Sequence, residues 1–282
     1  MTPAAMGVSG QNILITGASS GIGLVTAREL ALAGANVYLA GRSEDRTRAV
    51  VEEIRRLTLR PCAHGLPLDL SDLASVRRCA ADFLALNLPL HLLINNAGLA
   101  GARGLTRDGF EMTFGVNHIG HFVLTDLLLD RIKASAPARI LTVASRAHRF
   151  AGAINWADLR RSTRSLTGVR EYSVSKLCNI LFSAELARRL AGSGVSTYAL
   201  HPGIVDTGIW REMPALLRPL MKLRGMLSLE EGARTTLYCA TRCPPSESGL
   251  YYAKSRLAVP SNAAQDPTLA SELWRRSQEW TA

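Results

Sequence analysis

"NILITGASSGIG", residues 12–23, joins a five-residue, mainly apolar run to a turn that holds three glycines. A run this short and rich in Ile and Leu suits a strand buried on both faces. Gly17, Gly21 and Gly23 follow in the spacing G-x-x-x-G-x-G, and residues 21–33 then read as a helix. Glycine permits a tight turn and close approach of backbone to a ligand. The helix start adds unpaired N–H groups and a positive dipole end, which suit a pyrophosphate. Gly17, Ser19, Ser20, Gly21, Ile22 and Gly23 are therefore candidate cofactor-binding residues. Glycine-rich turns are common, and this one gains its weight from lying between a first strand and a first helix.

Outward from that unit the pattern repeats. "NVYLA" (36–40), "HLLIN" (91–95), "ARILTVA" (138–144) and "VSTYAL" (195–200) read as buried strands, with a weaker one at 62–68. Helical patterns fall between them near 21–33, 43–57, 72–86, 107–134, 171–191 and 229–242. Ser71 precedes the third as a capping signal, and Gly34 suits a left-handed stop after the first. This alternation predicts an α/β fold, a Rossmann-type doubly wound parallel sheet with helices on both faces. No linker or repeat divides it, so one domain spanning residues 1–282 is expected.

Composition bounds the rest. Hydrophobic residues at 47% and charged ones at 20% are ordinary for a soluble globular chain. No apolar run reaches the length of a membrane span, and few residues precede the first strand, which makes the cytoplasm the expected compartment. Five cysteines lack zinc-site spacing and read as buried thiols. The net charge of +10 raises nucleic acid as a partner. Scattered basic residues and the lack of an aromatic-basic motif argue against it. His118 and His121 look like a metal pair, yet no third ligand stands near them in the sequence; packing is the expected role.

Two local features carry chemistry. The second strand ends in "LAGRS", which places Arg42 where an acidic residue would accept hydrogen bonds from an NAD ribose. A guanidinium would instead hold a 2′-phosphate, so NADP(H) is the expected cofactor. In "REYSVSKLCN" (170–179), Tyr172 and Lys176 stand four apart on a helix and share a face. An ammonium nearby favours the phenolate, and a tuned phenol can exchange a proton with a substrate oxygen while hydride moves. A surface contact is the bland alternative for this pair.

"TGASSGIG", "NNAG" (95–98) and "YSVSK" (172–176), in this order, resemble the short-chain dehydrogenase/reductase family over nearly the whole chain. The resemblance implies that Ser145 hydrogen-bonds the substrate oxygen and that Tyr172 is the acid/base. It makes Lys176 the residue that holds the nicotinamide ribose and lowers the tyrosine pKa, and Asn117 the one that positions a water. It further implies that Asp69 and Leu70 hold the adenine, that Asn95 steadies the sheet beside the cofactor, and that Ala97 and Gly98 line it. Pro202, Gly203, Val205 and Thr207 in "HPGIVDTG" resemble the turn beside the nicotinamide. Read singly, Asp69 and Asn95 could also be caps or turn residues.

Ser145 and Tyr172 are 27 residues apart, wider than usual in that family. With "GVNHIGHFVLT", "HPGIV" and "LASELWRRSQEW", this insert resembles the retinol dehydrogenase-like branch, which implies a lipophilic alcohol or carbonyl substrate. Segment 204–227 is expected to form a substrate lid, and its basic, apolar part (213–227) admits peripheral membrane contact. Trp156, Trp210, Phe150 and Met213 are candidates for an apolar pocket wall. Helices 107–134 and 171–191 resemble those through which family members form a homodimer. Two other readings stay open: a biosynthetic tailoring ketoreductase, and a nonenzymatic cofactor-binding module on the same fold.

Overall fold

Neighbouring residues of the first strand enter different cores. In the computed structural model, which describes residues 7–205 and 227–282, Leu14 packs into one apolar cluster while Ile13 and Ile15 enter another. All three are fully buried, which is why the strands read as continuous apolar runs. Strands β1 (Asn12–Thr16), β2 (Asn36–Gly41), β3 (Ala63–Pro67), β4 (Leu92–Asn95), β5 (Ala138–Val143), β6 (Val195–His201) and β7 (Tyr251–Ala253) run parallel in the order β3-β2-β1-β4-β5-β6-β7. A short β8 (Arg256–Leu257) adds antiparallel to β7.

Helices α1 (Gly21–Leu32), α2 (Glu44–Thr58) and α7 (Leu229–Thr241) cover one face. On the other lie α3 (Leu73–Ala85), α5 (Gly120–Ala134), α6 (Val169–Arg189) and α8 (Pro267–Thr281). The predicted doubly wound α/β fold is the one observed. Strand order reverses between β1 and β4, which opens a crevice beyond the carboxyl ends of the strands.

Three local expectations need correction. The helix predicted over 107–134 starts at Met112, because residues 105–111 close a small loop first; Leu105 pairs with Glu111, and Thr106 N–H donates to Phe110 O at 2.8 Å. That helix also changes pitch: a short α4 (Met112–Phe114) leads into a π-turn over Gly115–Ile119 before α5 begins. The cap of α3 is Asp72, not Ser71. Its carboxylate accepts the N–H groups of Ala74 (2.9 Å) and Ser75 (3.4 Å), whereas Ser71 belongs to a turn closed by Asp69.

The sequence reading had no helix at α8, and it covers α6. Asp266 caps it, Pro267 opens it, and its apolar stripe lies on aromatic side chains. Trp274 stacks on Phe182 (centroids 5.8 Å apart, 12° between planes) and meets Phe122 edge-on at 5.1 Å. Arg189 closes over the ring at 4.5 Å. Part of the surface read as a homodimer face is thus covered by the chain itself. Trp274→Ala should cost about 3–5 kcal/mol of stability, the usual price of emptying a buried aromatic site. A denaturation midpoint within error of the parent would refute this.

All five cysteines are buried and free. Among the described residues no helix is long and apolar enough to cross a membrane. Of the expected lid, Leu227 N–H donates to Ile204 O at 2.8 Å, and Val205 pairs with Leu227. Thr207, Trp210, Met213 and the rest of 206–226 lie outside the described residues.

Candidate active site

Two turns interlock at the crevice. Gly17 has φ +68°, and a Cβ there would sit 2.9 Å from Ala97 Cα. A Cβ on Gly23 would meet Asn96 Nδ2 and Gly17 O, each at 2.5 Å. Turn 16–23 and turn 95–98 therefore fit only with glycine at these points, and Asn96 Nδ2 locks them by donating to Thr16 O at 2.8 Å. Ser20, the residue ahead of α1, makes no side-chain cap hydrogen bond, and the first turn has no acidic residue. The leading N–H groups of α1 are left for an anion, so this donor set fits a dinucleotide pyrophosphate.

Ser19 lies on the same rim as Arg42, since its Oγ would be 3.7 Å from a Cβ on neighbouring Gly41. Arg42 is exposed, and nearby Asp45 pairs with Arg48 instead. Asp69 Oδ1 accepts the N–H and hydroxyl of Ser71 at 2.9 and 2.7 Å, so its turn role is present. Leu70 belongs to the core, close to Gly120. Ile22 and Val205 also point into packing: a Cβ on Gly232 would meet them at 3.1 and 2.6 Å. Asn95 Nδ2 donates to Thr125 Oγ1 at 2.9 Å and ties β4 to α5, in line with a sheet-steadying role.

The four residues expected to carry chemistry gather where β4 and β5 end. Ser145 lies just past β5, and its side chain is close enough to the Tyr172 hydroxyl to act on its titration. One helical turn on, the Lys176 ammonium lies 5.7 Å from the centre of the Tyr172 ring and donates to Val143 O at 2.8 Å. Asn179 Nδ2 donates to that same carbonyl at 3.1 Å. Asn117, in the π-turn, accepts Leu99 N–H at 2.9 Å and donates to Leu99 O (3.0 Å) and Ser175 Oγ (2.9 Å). Gly98 lets the 95–98 turn pass close by, since a Cβ there would be 3.3 Å from Asn117 Oδ1 and 3.4 Å from Lys176 Nζ.

Burial acts against both charged forms here. It pushes the Tyr172 phenol up from its ordinary value, and the Ser145 side chain only partly opposes this. Burial likewise pushes Lys176 down to about 7. Pro202 and Gly203 follow β6. Gly203 has φ +103°, and a Cβ there would strike Leu227 Cδ1 at 2.5 Å. Before them His201 is pushed down to about 4, mainly by burial and then by Arg146, His148 and Lys176.

The insert after Ser145 is a built wall. His148 Nδ1 lies 2.6 Å from Ser145 O, and its Nε2 accepts Ser261 N–H at 3.0 Å. Buried Glu111 holds Thr163 Oγ1 at 2.5 Å, and Arg160 covers Phe110 at 4.2 Å. Trp156 packs under Arg276 at 4.9 Å on the α8 side, so packing explains it without a pocket role. Phe150 is 75% exposed at the end of the turn that follows Ser145. His118 and His121 diverge, the first to Ser277 (3.0 Å), the second to Thr16 (2.8 Å).

Sequence reading missed Thr16, Asn96, Ser175 and Asn179 as parts of the site. Asn179 had a signal, because it follows Lys176 by three residues on one helix face.

The short chain dehydrogenase family model matches residues 11–158. The chain belongs to the short-chain dehydrogenase/reductase family. Within it, the chain falls in the retinol dehydrogenase-like branch: it is 44% identical to retinol dehydrogenase 11 of Mus musculus over 94% of this chain and 84% of that one. Among solved structures, a protein from Mycobacterium Paratuberculosis matches with TM-score 0.79 and 36% identity, covering 100% of this chain and 97% of the other. An NAD(P)-dependent gluconate 5-dehydrogenase assignment from Beutenbergia cavernae, solved with bound NADP, matches with TM-score 0.70 and 26% identity, over 89% and 97%. As a short-chain dehydrogenase/reductase, this protein is an oxidoreductase of the family that uses NAD(P)(H).

Proposed function

We propose that this protein interconverts a lipophilic alcohol and its aldehyde or ketone with NADP(H), using Tyr172 as the acid/base. The observation that carries the reading is the gathering of Tyr172 beside Ser145 with Lys176 one turn away. In reduction, Ser145 and Tyr172 would both reach the carbonyl oxygen, and the Tyr172 proton would pass to it as negative charge develops. Bound NADP(H) would supply or accept the hydride. Lys176 would hold the ribose and recharge Tyr172, and Asn117 would keep a water for that proton path.

Arg42 supports the phosphorylated cofactor, since it is exposed at the end of β2 and has a guanidinium to offer a 2′-phosphate. Exposed apolar side chains support the substrate class: Phe150 is 75% exposed and Leu166 77%, both in the insert after Ser145, and Val259 72%. Arg149 donates to Val259 O and thereby joins two of these positions. The retinol dehydrogenase relatives point the same way.

The test is steady-state turnover of straight-chain aldehydes, all-trans-retinal and small polar ketones with each cofactor. The reading expects NADPH to be preferred and the lipophilic carbonyls to turn over fastest. Arg42→Asp should lower kcat/KM for NADPH by about 10- to 100-fold, the worth of charge-assisted hydrogen bonds, and leave NADH little changed. Equal use of both cofactors by the parent protein would overturn the NADP(H) assignment.

A further inference from the structure

One buried side chain links the nucleotide turn to the π-turn, and nothing above gives it a role. His121 is 1% exposed, between Thr16 and Asn117, which are both 0% exposed. Its Nε2 lies 2.8 Å from Thr16 Oγ1, and its Nδ1 lies 3.1 Å from the backbone oxygen of Asn117.

The neighbours decide its tautomer. Thr16 Oγ1 already accepts two N–H groups, from Asn96 at 3.0 Å and Ala97 at 2.9 Å. A hydroxyl has two acceptor sites and one proton. That proton goes to His121 Nε2 at 2.8 Å in preference to Ile94 O at 3.5 Å. Nε2 is then an acceptor, so the imidazole proton sits on Nδ1 and is donated to Asn117 O. Burial keeps the ring neutral by pushing it down to about 4.

The backbone explains why this carbonyl needs a holder. A π-turn takes carbonyls out of α-helical register, and both ends of this one are glycines in tight contact. A Cβ on Gly115 would meet Thr106 Cγ2 at 2.3 Å, and one on Gly120 would meet Leu70 O at 2.8 Å. The shape of the π-turn thus depends on local packing, and His121 adds a side-chain donor to Asn117 O.

We infer that His121 is a positioning residue, which fixes the Asn117 carbonyl for the proton path and couples it, through the Thr16 hydroxyl, to the turn that receives the nucleotide. This rests on the catalytic reading proposed above. His121 touches neither substrate nor reacting atoms; it acts through Asn117 on one side and Thr16 on the other.

The two sides can be separated. His121→Asn keeps a donor near the Nδ1 position, His121→Gln keeps an acceptor near Nε2, and His121→Leu keeps neither. One net hydrogen bond corresponds to roughly two- to tenfold in an equilibrium or rate. His121→Leu is therefore expected to lower kcat for NADPH-dependent aldehyde reduction about tenfold and to weaken NADPH, measured by fluorescence quenching, severalfold. His121→Asn should recover kcat but not NADPH affinity, and His121→Gln the reverse.

Selective ¹⁵N-histidine spectra of the unsubstituted protein should show this ring neutral and protonated at Nδ1 between pH 6 and 8. That measurement stands even if the Leu variant fails to fold. An Nε2-protonated or cationic ring, parent-like kcat in His121→Leu, or parallel losses in the Asn and Gln variants would each overturn the inference. Full turnover by Tyr172→Phe would instead remove the catalytic reading beneath it, and the ¹⁵N result would be untouched.

Discussion

Tyr172→Phe is expected to lower NADPH-dependent carbonyl reduction by about 10²- to 10⁴-fold, the range that a positioned general acid contributes, with NADPH affinity changed less than about threefold. The substitution removes one oxygen from a side chain only 6% exposed, so the packing of α6 should survive. What is lost is the hydroxyl beside Ser145. Burial raises the Tyr172 pKa, which keeps the phenol protonated at neutrality. Reduction needs the protonated phenol, so its rate should hold through neutrality and fall as pH rises toward the phenol pKa. Oxidation of the matching alcohol needs the phenolate and should rise over the same range. Both profiles come from one assay run in each direction between pH 6 and 10. Parent-like reduction by the Phe variant would eliminate Tyr172 as the acid, and reduction that rises with pH would reverse its assigned protonation state.

The sequence reading reached the frame of this site, and most of its misses have physical causes. Strands such as Asn36–Gly41 are apolar on both faces and needed no tertiary information. Residues 251–253 form a strand because β6 offers them an edge, and 256–257 because β7 then offers another, nonlocal facts that two or three residues cannot announce. The π-turn is nonlocal in the same way, since it depends on Gly115 meeting Thr106 and Gly120 meeting Leu70. Thr16 and His121 are 105 residues apart, so no spacing rule could join them. The miss of α8 has no such cause, because its signals are local: Asp266 and Pro267 are a cap and first-turn pair, and Leu273, Trp274 and Ser277 share a buried stripe.

The tyrosine's electrostatics lies beyond spacing for a different reason. Spacing places Lys176 on the Tyr172 face, but it says nothing about how deeply either group is buried. Desolvation acts on both groups, and each moves toward its neutral form. A bound dinucleotide, with its negative charge, would favour the ammonium again. The phenol would then be tuned when cofactor is present, not beforehand.

Lys176→Met should separate that tuning from stability. Lys176 is 2% exposed, and its ammonium donates to Val143 O. A charge a few ångströms away changes a neighbouring pKa by about one to three units, so loss of this ammonium should lower kcat by about 10²-fold. Loss of its donors should also raise KM for NADPH. Lys176→Arg should not restore kcat, because the larger planar group does not fit so enclosed a site and its charge cannot be moved into range. Stability should change the other way. Burial takes the Lys176 pKa from 10.5 to about 7 in the folded protein. Below pH 7 the folded chain must then bury a full charge; as pH rises from 7 toward 10.5 the folded state sheds that proton first, and the penalty fades. The Met variant carries no such charge. It should therefore melt higher than the parent at pH 6, with the gap narrowing by pH 9, while it reduces carbonyls far more slowly at both. A constant gap between the two melting temperatures across this range would show that Lys176 is not held against its charge, and the cofactor-dependent tuning argued for Tyr172 would fall with it.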